Sequence, residues 1–398
     1  MSDDHFFTQT VHAGGDVEPP GGRPIVPPIY PAVTYAYDDM ADLSAALHDN
    51  LGYSYLRYGS PTVAALEKAV AVLEDAEDAV AYSTGMAALH AAFVEANITA
   101  ERPIVATHDL YGATHGLLNK LFADGLVHFV DMTDLAELEA AIKLRRPRAV
   151  FLETMSNPLL KVLDLPLLAE WAHAAGAIVI VDNTFATPYL TRPLKHGADV
   201  VVHSATKYLG GHGDVMGGVI ATDARRAHEL RMQLRLYGSN LGPFEAWLVL
   251  RGLRTLALRL REQCSTALRV AQWLIDQRSI QKVIYPGLAD HPDHSVAQRL
   301  FRSGSFGGVV SFELRDAGDA EVFHFMEALK LIQTGTSLGD VYSLLLYPAQ
   351  SSHHALGRDE RLRRGIGDGL VRLSVGIEAA DDIIADLQQA LGVIRVNA

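Results

Sequence analysis

The sequence predicts a large, doubly wound α/β domain followed by a smaller α+β domain, and three observations carry that prediction. Short, continuous apolar runs alternate with helix-like segments from Ser60 to about residue 258. Polar residues collect at the carboxyl ends of those runs. After about residue 258 the pattern changes to one long helical stretch, then strands with an alternating character and a closing amphipathic helix. At 398 residues the chain also exceeds the usual size of a single hydrophobic core, which favours two domains.

The opening stretch, residues 1–59, is rich in proline and glycine (EPPGGRPIVPPIYP) and holds no sustained period. We read it as an extended arm that lies on a neighbouring subunit, with Tyr30, Tyr35, Tyr53, Tyr55 and Tyr58 arguing against a disordered terminus. Residues 60–258 form the large domain. SPTVAALEKAVAVLED opens it with Ser60 as N-cap, Pro61 at the first helical position and apolar residues at helical spacing. Then follow the runs DAVAYS, RPIVAT, AVFLET, AIVIVD and ADVVVHS, alternating with helical segments such as GMAALHAAFVEA, TDLAELEAAI and LPLLAEWAHAAG. Apolar runs without alternation suit parallel strands buried on both faces. The last of those helices ends at Gly176, a residue type suited to the left-handed turn after a helix. Residues 259–398 form the smaller domain: LREQCSTALRVAQWLIDQR reads as helix, VIYPGL, GGVVSFEL and LVRLSVGIE as strands, and DDIIADLQQALGVI as an amphipathic helix.

Composition narrows the function. The formal charge is −13 and the isoelectric point near 5.7, so nucleic acid and anionic membrane surfaces are poor partners. Cys264 is the single cysteine, which forbids an internal disulfide and suits a reducing cytoplasm. MSDDHFFTQT has no basic segment followed by an apolar one, and AIVIV is too short to span a bilayer.

In open α/β sheets the ligand crevice lies at the carboxyl ends of the strands. Ser83, Thr84 and Gly85 follow the first run, and His108, Asp109 and Tyr111 the second. Glu153 and Asn157 follow the third, Asp182 and Asn183 the fourth, Ser204, Thr206 and Lys207 the fifth. In HSATKYLGGHGDVMGG (203–218) the hydroxyls precede the lysine and the glycines follow it. That order is not a Walker loop, and no G-x-G-x-x-G opens the first strand–helix unit. Pyridoxal phosphate fits better: it needs a lysine for a Schiff base, an acid for its ring nitrogen and a cradle for its phosphate. Gly85 and Met86, opening a helix, offer free backbone N–H groups to an anion. Taken singly, a lysine is more often a surface charge, a carboxylate after a strand a helix cap, and Ser or Thr beside glycine an ordinary turn. Their joint placement on one rim favours a site without excluding those plainer readings.

The stretches DNTFATP (182–188) and HSATKYLGGHGD (203–214) resemble the Cys/Met-metabolism family of pyridoxal-phosphate enzymes, which includes cystathionine γ-lyase, methionine γ-lyase, cystathionine γ-synthase and O-acetylhomoserine sulfhydrylase. The likeness runs through YLRYGSPT, STGMAA, DLYGAT, ETMSNP, YPGLADHPDH, TSLGD and VRLSVGIE, nearly the whole chain. It implies the aspartate-aminotransferase-like fold, known as fold type I, with pyridoxal phosphate as cofactor and a cytoplasmic homotetramer built from dimers that share active sites. By the same resemblance Lys207 carries the Schiff base, Asp182 keeps the ring nitrogen protonated, and Tyr111 stacks on the ring and moves protons. Gly85, Met86, Ser204 and Thr206 match the phosphate cradle, and Tyr55 and Arg57 a pair that reaches the neighbouring subunit's phosphate. Arg372 resembles the clamp for the substrate carboxylate, with Ser337 and Asn157 assisting, and Ala113 and Tyr342 stand at the substrate entrance.

The activity so implied is γ-elimination on an L-amino acid with a leaving group at Cγ, giving 2-oxobutanoate and ammonia. The alternative is γ-replacement, as in a sulfhydrylase or γ-synthase. Ala113 stands where methionine γ-lyases carry cysteine, Tyr342 where many cystathionine enzymes carry glutamate, and Leu56 and Ser60 replace the Ser and Asn of Y-S-R-x-x-N-P-T. A substrate with an unusual distal portion follows. An aminotransferase on the same fold and a scaffold with a decayed site are the readings from other classes; intact Lys207, Asp182 and Arg372 oppose the latter. HPDH (291–294) and His353-His354 have no common metal spacing and are read as structural, so no metal is expected.

Overall fold

A computed structural model describes residues 4–13, 24–48, 51–123, 125–354 and 356–393. Two sheets organise it. The first has seven strands: β1 (Asp78–Tyr82), β2 (Ile104–Thr107), β3 (Val127–Val130), β4 (Ala149–Glu153), β5 (Ile178–Asp182), β6 (Val200–Ser204) and β7 (Gly218–Thr222). Their order is β1-β7-β6-β5-β4-β2-β3. β2 to β6 pair in parallel, and β7 runs antiparallel to both β1 and β6. β1 therefore runs the same way as β6, and six strands end on one rim. The doubly wound expectation holds, with two additions. VHFV and GVIAT are strands beyond those the sequence predicts, the first short and half-buried, the second following directly on the glycine-rich loop.

Alternate residues of these strands enter two separate cores. Val150, Val179, Val181 and Val201 pack on one face. Phe151, Ile180, Val202 and Ile220 pack on the other. Burying each such side chain stabilises the fold by about 1.5–3 kcal/mol, so a strand covered on both faces has no place for a polar residue until its end. That is why functional groups appear only at the rim.

The second sheet contains β8 (Ile280–Ile284), β9 (Val309–Leu314), β10 (Gln333–Thr334), β11 (Leu344–Leu346) and β12 (Leu370–Ser374), in the order β10-β11-β12-β9-β8. β12 is antiparallel to both β11 and β9, and places Arg372 opposite Ser311 and Leu346. The helix Leu256–Ile275 packs one face into the shared core.

The opening segment departs from the extended arm expected of it. Among its described residues it forms α1 (Asp4–His12) and α2 (Met40–His48), nine residues each and too short for periodicity to announce them. Phe6 of α1 is only 2% exposed and meets Tyr189 edge-on at 5.6 Å, with Arg192 and Arg302 over its ring. The first helix thus docks on the body of its own chain. Residues 14–23, which begin the proline- and glycine-rich run, lie outside the described residues, as do 1–3 and 49–50. α3 (Pro61–Glu74) starts after Ser60 and α4 (Gly85–Glu95) after Thr84, whose Oγ1 accepts from Ala87 N at 3.0 Å. The helix Leu165–Ala174 stops before Gly176, which adopts φ 72° as anticipated. α5 (Gly112–Leu121) follows Tyr111.

Candidate active site

A cavity of about 390 Å³ opens on the rim where β1, β2, β4, β5 and β6 end. Gly85 and Met86 line it from the first turn of α4, where backbone N–H groups precede the first intrahelical bond, Ala88 N to Thr84 O. Gly85 is required there, since a Cβ on it would sit 2.7 Å from the Ser204 Cβ. Gly218 is equally constrained, because its Cβ would fall 2.2 Å from the Thr84 carbonyl oxygen. β7 can therefore pass beneath the start of α4 only as glycine, and Ser204 and Thr206 close the same end of the cavity.

Lys207 follows the turn after β6, its N–H donating to Ser204 O at 3.1 Å. Its Nζ donates to Ser337 Oγ at 3.0 Å. Burial and the nearby Arg372 guanidinium hold its ammonium below the usual lysine range, while Asp340 opposes them. Asp182 ends β5 beside Glu153 of β4, the two being in register. Thr184 ties this corner together: its N–H donates to Asp182 Oδ1 at 2.9 Å, and its Oγ1 accepts from Ser204 N at 2.8 Å. Burial raises both carboxyls, and Glu153 rises furthest because Asp182 adds a like charge. Of the two, Glu153 is pushed furthest toward its protonated form. Glu153 Oε1 also accepts from Tyr111 N at 2.7 Å and so fixes the start of α5. Tyr111 itself is 45% exposed over the cavity.

Arg372 enters from the second sheet and is 2% exposed. Its Nη1 donates to Asn157 Oδ1 at 2.8 Å and its Nη2 to Ser337 O at 3.1 Å, with the Phe185 ring 6.0 Å away. Nε has no hydrogen-bond partner among the described residues, and burial pushes the group down to about 10. The structure thus gathers Gly85, Met86, Tyr111, Asn157 and Asp182 with Ser204, Thr206, Lys207 and Arg372 around one cavity. Ser337 joins them through Lys207.

Four of the residues singled out in the sequence stand apart. Tyr55 and Arg57 do not line this cavity; the Arg57 guanidinium lies over the rings of Tyr58 and Tyr55 at 5.1 and 5.7 Å. Ala113 is exposed on the first turn of α5 and lines none of the cavity either. Tyr342 lines a neighbouring cavity. Sequence reasoning assigned no role to Thr184 or Phe185, and read His353 as structural. Thr184 carries a faint signal, D-x-T at the end of a strand; Phe185 carries none. His353 is buried and pushed down to about 4 by burial, then by Arg372 and Arg364.

A family model described as Cys/Met metabolism PLP-dependent enzyme matches residues 7–392. The chain belongs to this family. Among relatives of this pyridoxal-phosphate family, a cystathionine beta-lyase of Lactococcus lactis subsp. cremoris is 40% identical over 387 residues, covering 96% of this chain and 98% of that protein. An L-methionine gamma-lyase of Pseudomonas deceptionensis is 40% identical over 404 residues, covering 98% and 99%. The solved cystathionine gamma synthase of Xanthomonas oryzae pv. oryzae, in complex with aminoacrylate and cysteine, superposes with a TM-score of 0.90 at 38% identity, covering 97% of each chain. Pyridoxal phosphate is accordingly the cofactor, and the chain a PLP-dependent enzyme of fold type I. The residues present fit that group. A phosphate suits the α4 amides in a cradle that a Cβ on Gly85 would fill, Asp182 offers a half-buried carboxyl, and Lys207 an amine with a lowered pKa. No helix among the described residues is long and apolar enough to cross a membrane.

Proposed function

We propose that the enzyme catalyses γ-elimination on an L-amino acid bearing a leaving group at Cγ, releasing 2-oxobutanoate and ammonia. The observation that carries the reading is the meeting of Lys207 and Arg372 at Ser337, whose hydroxyl accepts from one and whose carbonyl accepts from the other. A carboxylate clamped by Arg372 presents its Cα to the Lys207 amine. Pyridoxal phosphate, when bound, supplies an electron sink that makes protons on the substrate carbons acidic.

Each residue then has a defined task. Ser204, Thr206 and the amides of Gly85 and Met86 hold the phosphate. Asp182, at the end of β5 beside Glu153, holds a proton at the ring nitrogen. The Lys207 amine accepts the Cα proton, its lowered pKa keeping more of it neutral near pH 7. Arg372 grips both oxygens of the carboxylate while Asn157 fixes its guanidinium plane. Tyr111, exposed over the cavity, stacks on the ring and delivers a proton to the departing γ-substituent.

γ-Replacement is the second reading, favoured by the likeness to a cystathionine gamma synthase. Both readings are tested by measuring keto-acid release from methionine, cystathionine, homocysteine, O-acetylhomoserine and canavanine, each with and without added thiol. Elimination yields 2-oxobutanoate without thiol, and replacement yields a thioether only with it. Absence of both products would overturn the proposal.

The working unit we propose is a cytoplasmic homotetramer of dimers. Tyr55 and Arg57 sit outside their own chain's cavity, and exposed apolar residues such as Ile25, Met40 and Leu51 mark the same segment as a contact surface. Sedimentation would show four chains, and Arg57→Ala would weaken cofactor binding from across the interface.

A further inference from the structure

Successive side chains of a strand point to opposite faces, so the residue beside each site group turns away from the cofactor pocket. Thr154 follows Glu153, Asn183 follows Asp182, and His203 precedes Ser204. They share their faces with Leu152, Val181 and Val201, in the core that also takes Leu66 and Leu73 of α3. Exposure there is 4% for Thr154 and 0% for Asn183 and His203. Polar groups so deep need partners and a reason, and the tasks assigned above give them none.

All three are joined to one side chain. Glu74, the last residue of α3, is 0% exposed; its Oε1 accepts from Asn183 Nδ2 at 3.0 Å and meets His203 Nε2 at 2.5 Å. Asn183 Nδ2 also donates to Thr191 O at 3.1 Å, and its Oδ1 accepts from Thr154 Oγ1 at 2.8 Å. The backbone carries the network to the site, with Thr154 N–H donating to Asp182 O at 3.0 Å and Asn183 N–H to Val202 O at 2.9 Å. One carboxyl on α3 therefore ties together the ends of β4, β5 and β6, which carry Glu153, Asp182 and Ser204 into the pocket.

The charge of the pair follows from its burial. Two nitrogens converge on Glu74 Oε1, and an amide nitrogen can only donate, which suits a carboxylate. A fully buried carboxylate without a cation is far costlier than a buried ion pair. His203 is the group placed to supply that cation. Its Nδ1 has no hydrogen-bond partner among the described residues in either protonation form, so the contact at Nε2 decides.

Asp182 needs such a neighbour. Burial drives its carboxyl toward the neutral form, while the hydroxyl and amide of Thr184, and then His203, act the other way. Glu153, in register beside it, offers no positive charge. A neutral Asp182 would leave a protonated ring nitrogen without its counter-charge. We propose that Glu74 keeps His203 protonated, and that this imidazolium behind the pocket holds Asp182 ionised against the cofactor's ring nitrogen. Neither residue lines the cavity, so both are positioning residues for a proton. The inference rests on Asp182 meeting the ring nitrogen and applies to elimination and replacement alike.

The test uses holoenzyme reconstituted with pyridoxal phosphate isotopically labelled at its ring nitrogen, whose NMR shift separates protonated from bare nitrogen. Glu74→Gln keeps an acceptor and His203→Gln a donor, but each removes a charge. The pH at which the ring nitrogen loses its proton should fall by about one unit or more in either variant, a tenfold loss of proton affinity. Adding Glu74→Gln to His203→Gln should lower it no further, since the cation is already gone. A merely structural network would change the urea midpoint and leave the ring nitrogen alone. Either variant, shown folded by circular dichroism, suffices. An unchanged or raised pH midpoint, or a double variant shifted by the sum of the two, would overturn the proposal. Asp182→Asn runs beside them. If it shifts the midpoint and they do not, this inference alone falls; if it too leaves the midpoint in place, the placement of Asp182 falls with it.

Discussion

The Lys207 Nζ donates to the Ser337 Oγ across 3.0 Å, joining an amine behind β6 to a hydroxyl in the connection between β10 and β11, 130 residues away in the chain. The two sheets meet at the reacting nitrogen, so electrostatics from both act on it. Arg372 on β12 lowers the lysine pKa after burial has done so, and Asp340 raises it. The neutral amine is the nucleophile, so a lowered pKa lets cofactor-free protein capture pyridoxal phosphate at lower pH than a free lysine does. Asp340→Asn removes the opposing charge, and its capture rate should level off at still lower pH. A stopped-flow pH profile checks the sign; a shift to higher pH would contradict the assignment.

Arg372→Lys should raise KM for the amino acid far more than it lowers kcat. A lysine keeps the charge but loses the planar pair of donors that fits a carboxylate. Losing one charged hydrogen bond costs about 1.5–3 kcal/mol, so KM should rise roughly tenfold or more. Steady-state kinetics separate the two parameters, and an unchanged KM would remove Arg372 from the clamp.

Gly85→Ala should weaken cofactor binding while leaving the fold intact. Its Cβ would press on Ser204 at 2.7 Å, and overpacking of this kind costs about 1–3 kcal/mol. Equilibrium titration with pyridoxal phosphate is expected to show a Kd raised about tenfold, with unchanged far-ultraviolet circular dichroism. Wild-type affinity would mean that the phosphate lies elsewhere.

Beneath the site, His203 Nε2 lies 2.5 Å from Glu74 Oε1, and Asn183 Nδ2 donates to the same oxygen at 3.0 Å. Both Glu74 and His203 are fully buried. Glu74→Leu would orphan two buried donors at about 1–3 kcal/mol each, lowering the urea midpoint. Adding His203→Phe should recover part of that loss, because an apolar pair leaves only Asn183 unmet. An unchanged midpoint in the single variant would contradict the network.

Much of this site was legible because burial on both faces forces polar groups to strand ends. Lys207, Asp182, Ser204, Thr206, Tyr111 and Gly85 could be placed on one rim from the apolar runs alone. Arg372 could not: it sits mid-strand on β12 in another sheet, and only resemblance singled it out. The helices α1 and α2 were hidden because nine residues each give little period to read. β7 was hidden behind the glycines that make it possible, Gly218 being a contact with Thr84 rather than a turn.

The most direct test of the central claim is the keto acid released by holoenzyme from cystathionine, methionine, homocysteine, O-acetylhomoserine and canavanine, identified by mass and compared with Lys207→Ala. The account expects 2-oxobutanoate and ammonia in equal amounts from at least one of them. It also expects the Lys207→Ala rate to be lower by on the order of 10²–10⁴-fold. Pyruvate in place of 2-oxobutanoate, or a Lys207→Ala variant as fast as wild type, would contradict it.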